Sequence, residues 1–181
     1  MVASSLVPSD SLPRRTLVLG GARSGKSAVA EAMFGDDAVR YVATARRDTS
    51  DADFEHRIAA HRIRRPQSWT VVENQDLVDT LATGAGPTLV DDIGTWLTDR
   101  IDAEQAWESP RGTVDTDPLV SAVADYPGRL VVVSPEVGLG VVPATRSGRL
   151  FRDEIGVLNQ RLAQACDEVL FVIAGLTTRL K

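Results

Sequence analysis

The chain has 181 residues and a mass of 19.5 kDa, which is the usual size of one domain with a short appendage. Hydrophobic residues make up 43% and charged residues 25%, a composition that excludes a chain disordered throughout. The net charge of −5 disfavours a general nucleic-acid or membrane-surface binder. A single cysteine excludes an intrachain disulfide, and together with two histidines it cannot form a cysteine-rich zinc site.

The first residues are rich in serine and proline and lack the basic start and apolar run of a secretory signal. We therefore expect residues 1–15 to be a flexible N-terminal extension and residues 16–181 to form a single domain. No apolar run approaches the ~20 residues that a membrane-spanning helix needs. These features predict a cytoplasmic protein without a membrane span.

Short apolar runs alternate with helical patterns along the chain. Strands are predicted at 16–19, 39–43, 70–72, 88–90, 130–133 and 169–173. Helices are predicted at 28–33, at 54–64 before Pro66, and from 95 to 101, and residues 109–118 have the composition of a loop. A longer amphipathic helix is indicated by apolar residues that recur every three or four positions: Phe151, Ile155, Leu158, Leu162 and Ala165. Uniformly apolar strands alternating with helices predict an α/β fold with a mostly parallel central sheet flanked by helices.

A phosphate-binding loop follows the first predicted strand. Residues 20–27 match the pattern G-x-x-x-x-G-K-[ST], in which backbone N–H groups surround phosphate oxygens at the start of a helix. The lysine would reach the β and γ phosphates, and the final hydroxyl would bind Mg²⁺. All but two of the 20 basic residues are arginines, so a lysine at this position indicates a site that requires one. The predicted phosphate-binding residues are Gly20, Gly21, Ala22, Arg23, Ser24, Gly25, Lys26 and Ser27.

Such a loop needs an acidic partner for the metal, usually at the end of a neighbouring strand. The strand at 88–90 runs directly into Asp91 and Asp92. We predict Asp91 as the metal ligand, because two apolar residues lead straight into it. The alternative is that both aspartates cap the helix that follows.

A basic segment with a histidine follows the second predicted strand. On a helix, Arg57, His61 and either Arg64 or Arg65 would form one stripe, whereas His56 would lie on another side. Guanidinium groups suit a triphosphate, and neighbouring positive charges favour the neutral imidazole that an attack on an α-phosphorus requires. The alternative is a solvated basic face with an incidental histidine.

Several ordered segments resemble one family, the bifunctional adenosylcobinamide kinase / adenosylcobinamide-phosphate guanylyltransferases of cobalamin biosynthesis. The resemblance extends from residue 16 to residue 181. The similar segments are residues 20–27, 41–45, 57–66, 69–73, 89–91 with 96–98, 136–143, 151–160 and 174–176. Pro135 departs from the family, which commonly has asparagine at this position.

The resemblance implies a RecA-like P-loop NTPase fold and two reactions that use ATP and GTP as substrates with Mg²⁺. A nucleoside triphosphate phosphorylates adenosylcobinamide, and GMP then passes from GTP through a guanylylated histidine to give adenosylcobinamide-GDP. It also implies a homotrimer. By position, His61 corresponds to the guanylylated histidine of the family, and His56 does not. The further nucleotide contacts that the resemblance implies are Thr44, Ala45, Arg62, Ile63, Arg64, Arg65, Glu73 and Asp91.

Two other functions fit the phosphate loop alone. One is a P-loop kinase for another small molecule, which would have no nucleophilic histidine. The other is a nucleotide-controlled switch without a small-molecule acceptor, in which bound nucleotide would turn over without a corrinoid. The preferred phosphate donor, the corrinoid pocket and the general base of the kinase step leave no recognisable motif.

Overall fold

A seven-stranded sheet forms the centre of the part of the chain that the computed structural model describes, residues 13–44 and 66–181. Its spatial order is β3-β2-β4-β5-β1-β6-β7, and all neighbouring strands are parallel except the antiparallel pair β6 and β7. The strands are β1 (Arg15–Gly20), β2 (Arg40–Ala43), β3 (Thr70–Glu73), β4 (Thr88–Asp91), β5 (Leu130–Pro135), β6 (Glu168–Ile173) and β7 (Leu176–Arg179).

Five α-helices lie within these described ranges, together with a short 3₁₀ helix at Ala106–Glu108. The α-helices are α1 (Lys26–Ala32), α2 (Leu77–Ala82), α3 (Ile93–Ala103), α4 (Asp117–Ala124) and α5 (Arg146–Ala165).

Alternate residues of the central strands supply two apolar cores, one on each face of the sheet. In β1, Leu17 and Leu19 pack with residues of α2, α3, α4 and α5, whereas Val18 packs in the core that contains Ala30 of α1. Successive side chains of a strand point to opposite faces, so a strand covered on both sides must be apolar throughout. This explains the unbroken apolar runs in the sequence.

Helix α5 is fixed to the end of β5 by a buried polar side chain. Ser134 donates a hydrogen bond to the Asn159 side-chain oxygen at 2.6 Å, and the Asn159 amide donates to the carbonyl oxygen of Pro135 at 3.0 Å. Thr145 caps the helix by accepting from the Gly148 N–H at 3.1 Å. The predicted apolar face is also present, with Leu158 fully buried.

The predicted α/β architecture is confirmed, and each of the six predicted strands is present with ends shifted by no more than two residues. The predicted loop at 109–118 is shorter than expected, because α4 begins at Asp117 with Pro118 in its first turn, a position that needs no N–H donor. Helix α2, the body of α4 and strand β7 were not predicted. Most of the predicted extension at 1–15 lies outside the described residues, but its last residue, Arg15, already belongs to β1. The helix predicted at 54–64 lies wholly outside the described residues.

Gly20 ends β1 at a point where no side chain fits. A Cβ atom here would lie 2.5 Å from the Ser24 hydroxyl oxygen and 2.7 Å from the carbonyl oxygen of Val172. The second contact is with backbone of the neighbouring strand β6, which cannot rotate away. A Cβ atom at Gly21 would meet nothing within 4 Å. A side chain therefore fits at Gly21 but not at Gly20.

We predict that Gly20→Ala lowers the free energy of unfolding by about 1–3 kcal/mol, the usual cost of forcing extra volume into a packed site. Gly21→Ala is the matched control and should change it by less than about 0.5 kcal/mol. Both values come from urea unfolding without nucleotide. Equal stability of the two variants would contradict the packing described for the end of β1.

Candidate active site

The phosphate loop is held in place by the segments that follow both neighbours of β1. The N–H of Glu136, after β5, donates to the carbonyl oxygen of Gly20 at 3.0 Å. The N–H of Gly175, after β6, donates to the carbonyl oxygen of Ser24 at 2.8 Å. Gly25 has a φ of 94°, a conformation that favours glycine, and directly precedes α1. The loop therefore has a defined backbone shape set by its own protein contacts.

The first turn of α1 carries the two side chains that the motif assigns to phosphate and metal. Lys26 is the first residue of α1 and Ser27 the second. The Ser27 hydroxyl donates a hydrogen bond to Asp91 Oδ1 at 3.2 Å, and the Tyr41 hydroxyl donates to Asp91 Oδ2 at 2.7 Å. Both oxygens of this carboxylate are thus oriented. The structure brings together Ser27 and Asp91, which are far apart in the sequence.

Asp91 and Asp92 have different environments, which separates the two roles that the sequence left open. The Asp92 carboxylate accepts a hydrogen bond from the Thr95 N–H at 3.0 Å and so caps α3. Burial raises the pKa of Asp92 above its ordinary value, and the negative charge of Asp91 raises it further. Asp91 instead faces Ser27 across the sheet edge. The helix-capping alternative therefore applies to Asp92 and not to Asp91.

Thr44 connects the end of β2 to the start of α3. Its hydroxyl donates to the carbonyl oxygen of Asp92 at 2.6 Å and also contacts the Thr95 hydroxyl. Its N–H donates to the carbonyl oxygen of Asp91 at 3.3 Å. Thr44 is thus bonded to the same short segment that supplies the carboxylate facing the phosphate loop.

A cleft of about 400 Å³ opens beside Thr44. Glu73, another predicted nucleotide contact, is the last residue of β3 and immediately precedes the cleft residue Asn74. Within the cleft wall, Arg100 donates to Glu104 at 2.9 Å, but its buried Nε has no hydrogen-bond partner among the described residues. The cleft is lined by Ala43, Thr44, Asn74, Gln75, Asp76, Leu77, Trp96, Asp99, Arg100 and Ala103.

Most of these cleft residues were missed by the sequence reasoning. They come from the ends of β2 and β3 and from one side of α2 and α3, and no spacing rule connects them. Trp96 lies in a segment that resembled the family, but nothing in the sequence indicated that its side chain borders a cleft. Six of the predicted site residues lie outside the described residues: Ala45, His61, Arg62, Ile63, Arg64 and Arg65.

The chain is similar in sequence to one protein family and to several of its members. A family model described as cobinamide kinase / cobinamide phosphate guanyltransferase matches residues 16–180. The bifunctional adenosylcobalamin biosynthesis protein CobP of Pseudomonas aeruginosa is 41% identical over 175 residues, which cover 92% of this chain and 97% of that protein. The bifunctional proteins CobU of Salmonella typhimurium and of Escherichia coli are 38% and 36% identical, each covering 91% of this chain and 98% of the relative.

A solved structure of an ATPase from a bacterial type III secretion system has the same fold, with a TM-score of 0.53 at 13% identity. The match covers 92% of this chain and 56% of that ATPase chain, so this chain spans little more than half of it. The likeness concerns the fold alone and agrees with the predicted α/β architecture. No helix within residues 13–44 and 66–181 is long and apolar enough to cross a membrane.

Proposed function

The chain belongs to the cobinamide kinase / cobinamide phosphate guanyltransferase family, and on this premise we propose that it carries out both reactions on an adenosylated corrinoid. It phosphorylates the aminopropanol hydroxyl of adenosylcobinamide with a nucleoside triphosphate. It then transfers GMP from GTP to the product and forms adenosylcobinamide-GDP. The observation that carries the proposal is the 3.2 Å hydrogen bond from Ser27, which follows Lys26 in the first turn of α1, to Asp91 at the end of β4.

In the kinase step, the phosphate loop binds the triphosphate through its backbone N–H groups and through Lys26. The oxygen of the acceptor hydroxyl attacks the γ-phosphorus and releases its proton to solvent. A new P–O bond forms, and the bond from the γ-phosphorus to the β-phosphate oxygen breaks with release of the nucleoside diphosphate. Because this reaction needs mainly positioning and charge neutralisation, a lysine fixed at the start of a helix suits it well.

The residues at the sheet edge fit a magnesium ion. Mg²⁺ prefers oxygen ligands and commonly takes one or two from the protein and the rest from water and phosphate. The Ser27 hydroxyl and the Asp91 carboxylate supply two such oxygens, and within the described part of the chain no cluster of three acidic, histidine or cysteine side chains offers a different metal site. When bound, the ion would neutralise phosphate charge, and the hydrogen bond from Tyr41 would keep the Asp91 carboxylate oriented.

In the guanylyl transfer, we propose His61 as the nucleophile that attacks the α-phosphorus of GTP. A P–N bond forms, the α–β phosphoanhydride bond breaks and pyrophosphate leaves. A phosphate oxygen of the phosphorylated corrinoid then attacks the same phosphorus, and the P–N bond breaks to release the histidine. The neighbouring residues 62–65 would contact the nucleotide phosphates, as family resemblance implies.

The cleft beside Thr44 is our candidate for the nucleoside of GTP. Its lining residue Thr44 donates a hydrogen bond to the carbonyl oxygen of Asp92, just after β4. Glu73 directly precedes another lining residue, Asn74. A cavity of about 400 Å³ is within the range of small-ligand pockets. We propose that Thr44, which lines this cleft, and Glu73, which precedes the lining residue Asn74, contact the nucleoside. The homotrimer that the family resemblance implies stays a prediction.

We predict that Asp91→Asn raises the Mg²⁺ concentration needed for half-maximal kinase activity by about tenfold. The substitution preserves the shape of the side chain but removes the anionic ligand that a hard cation prefers. Asp92→Asn is the matched control, because an asparagine still caps a helix and the Mg²⁺ requirement should stay near that of the wild type. If Asp92→Asn raises the Mg²⁺ requirement and Asp91→Asn does not, the metal ligand is Asp92 and our assignment to Asp91 is wrong.

We predict that His61→Ala separates the two activities. With α-labelled GTP, the wild type should retain guanylyl label that acid removes and alkali spares, as expected for a P–N bond. The His61→Ala variant should retain none, yet it should still phosphorylate adenosylcobinamide, because the kinase step does not use this histidine. His56→Ala is the control and should be labelled like the wild type.

Label that persists in His61→Ala, or that disappears in His56→Ala, would move the nucleophile to another residue. A wild type that phosphorylates adenosylcobinamide but never retains label would favour a kinase without guanylyl transfer.

A further inference from the structure

A short apolar loop follows β5 at the same sheet edge as the phosphate loop. Its four large aliphatic side chains are all exposed: Val137 by 37%, Leu139 by 79%, Val141 by 95% and Val142 by 59%. No charged residue occurs between positions 137 and 145. We call residues 137–142 the apolar loop. Single exposed aliphatic residues are common on protein surfaces, but four within six residues indicate a binding surface.

Hydrogen bonds hold both ends of the apolar loop. At its start, the Glu136 N–H donates to the carbonyl oxygen of Gly20 at 3.0 Å, and the Glu136 carboxylate accepts from the Gly138 N–H at 2.6 Å. At its end, Arg149 of α5 donates to the carbonyl oxygen of Pro143 at 3.0 Å. The exposed side chains are therefore presented from a fixed position one strand away from the phosphate loop.

We propose that the apolar loop binds the corrin macrocycle of the phosphoryl acceptor. This inference rests on the proposed function, because that function places the acceptor hydroxyl at the γ-phosphate on the phosphate loop. The rest of an acceptor of this size must then cover the neighbouring surface. Strand β5 adjoins β1, and Gly20 is paired with Pro135, so the apolar loop is part of that surface. Its aliphatic side chains suit the methyl-bearing edge of a corrin ring.

The size of the apolar loop also favours a small macrocycle over a protein partner. A stable protein–protein interface buries about 800 Å² and about 20–30 residues on each side. Six residues cannot supply that area by themselves, whereas they can cover one edge or face of a single large cofactor-like molecule. The absence of charge in this loop suits the same occupant, since the corrin periphery carries methyl and amide groups and no carboxylates.

The test uses two exposed positions in the apolar loop and two matched positions elsewhere. Leu139→Ser and Val141→Ser remove apolar contacts without disturbing the core. Leu180→Ser is the leucine control, since Leu180 is 60% exposed and its N–H bonds to Val169 near the start of β6, away from the phosphate loop. Val157→Ser, on α5, is the valine control at 55% exposure.

The measurement is the Kd for cobinamide, obtained by equilibrium dialysis of the full-length protein with a non-hydrolysable ATP analogue, together with the KM for ATP and the sedimentation coefficient. We expect each loop variant to raise the Kd for cobinamide by about tenfold, as expected for loss of a buried aliphatic contact. The KM for ATP and the sedimentation coefficient should stay at the wild-type values, and both controls should behave like the wild type.

An unchanged Kd in both loop variants, while the wild type phosphorylates cobinamide, would overturn this inference alone. A changed sedimentation coefficient in the loop variants would overturn it too, because the loop would then contact a second copy of the chain. A wild type that neither binds nor phosphorylates cobinamide would instead overturn the proposed function and this inference with it.

Discussion

Parallel pairing of the strands is the constraint on which the site depends. The first six strands all run in the same direction, so their carboxyl ends lie at one edge of the sheet. At this edge, Ser27 after β1 donates its hydrogen bond to Asp91 at the end of β4, although 64 positions separate them. In open parallel sheets, ligands bind at this edge, where loops from neighbouring strands converge. Ser27 and Asp91 therefore meet because their strands run in the same direction.

The same edge explains how the phosphate loop keeps its shape. Strand β1 lies between β5 and β6, and the segments that follow both neighbours donate backbone hydrogen bonds to the loop, from Glu136 and Gly175. Gly20 permits the close approach of Ser24 and of strand β6. A binding loop supported from both sides loses little conformational freedom when phosphate binds, which lowers the entropic cost of binding. The shape of the phosphate loop therefore depends on how β1 packs between its two neighbours.

The sequence predicted what depends on local pattern. Buried strands such as β1 and β5 were found because both faces are covered and the apolar runs are unbroken, and the phosphate loop was found because its residue types and spacing are specific. Strand β7 was missed, since Leu-Thr-Thr-Arg is short and exposed on both sides. Helix α2 is a six-residue helix with too few turns to show a period.

The remaining parts of the site depend on tertiary contacts that no local pattern encodes. Asp91 and Asp92 are chemically identical neighbours, and their roles separate only when Ser27 and Thr95 are placed around them. The cleft beside Thr44 combines residues of β2, α2, α3 and the segment after β3, so no local pattern indicated that Arg100 lies in its wall. His61 and its basic neighbours rest on the sequence argument and the family, since they fall outside the described residues.

We propose that the same phosphate loop holds the triphosphate in the kinase step and in the guanylyl transfer. The decisive experiment measures, in Lys26→Ala, both phosphorylation of adenosylcobinamide and labelling of the protein by α-labelled GTP. Because the proposed mechanism has Lys26 contact phosphate in each reaction, we expect both rates to fall by at least about 100-fold, with the free energy of unfolding unchanged. Loss of the kinase activity alone, with wild-type labelling by GTP, would contradict the claim and require a second, separate triphosphate site.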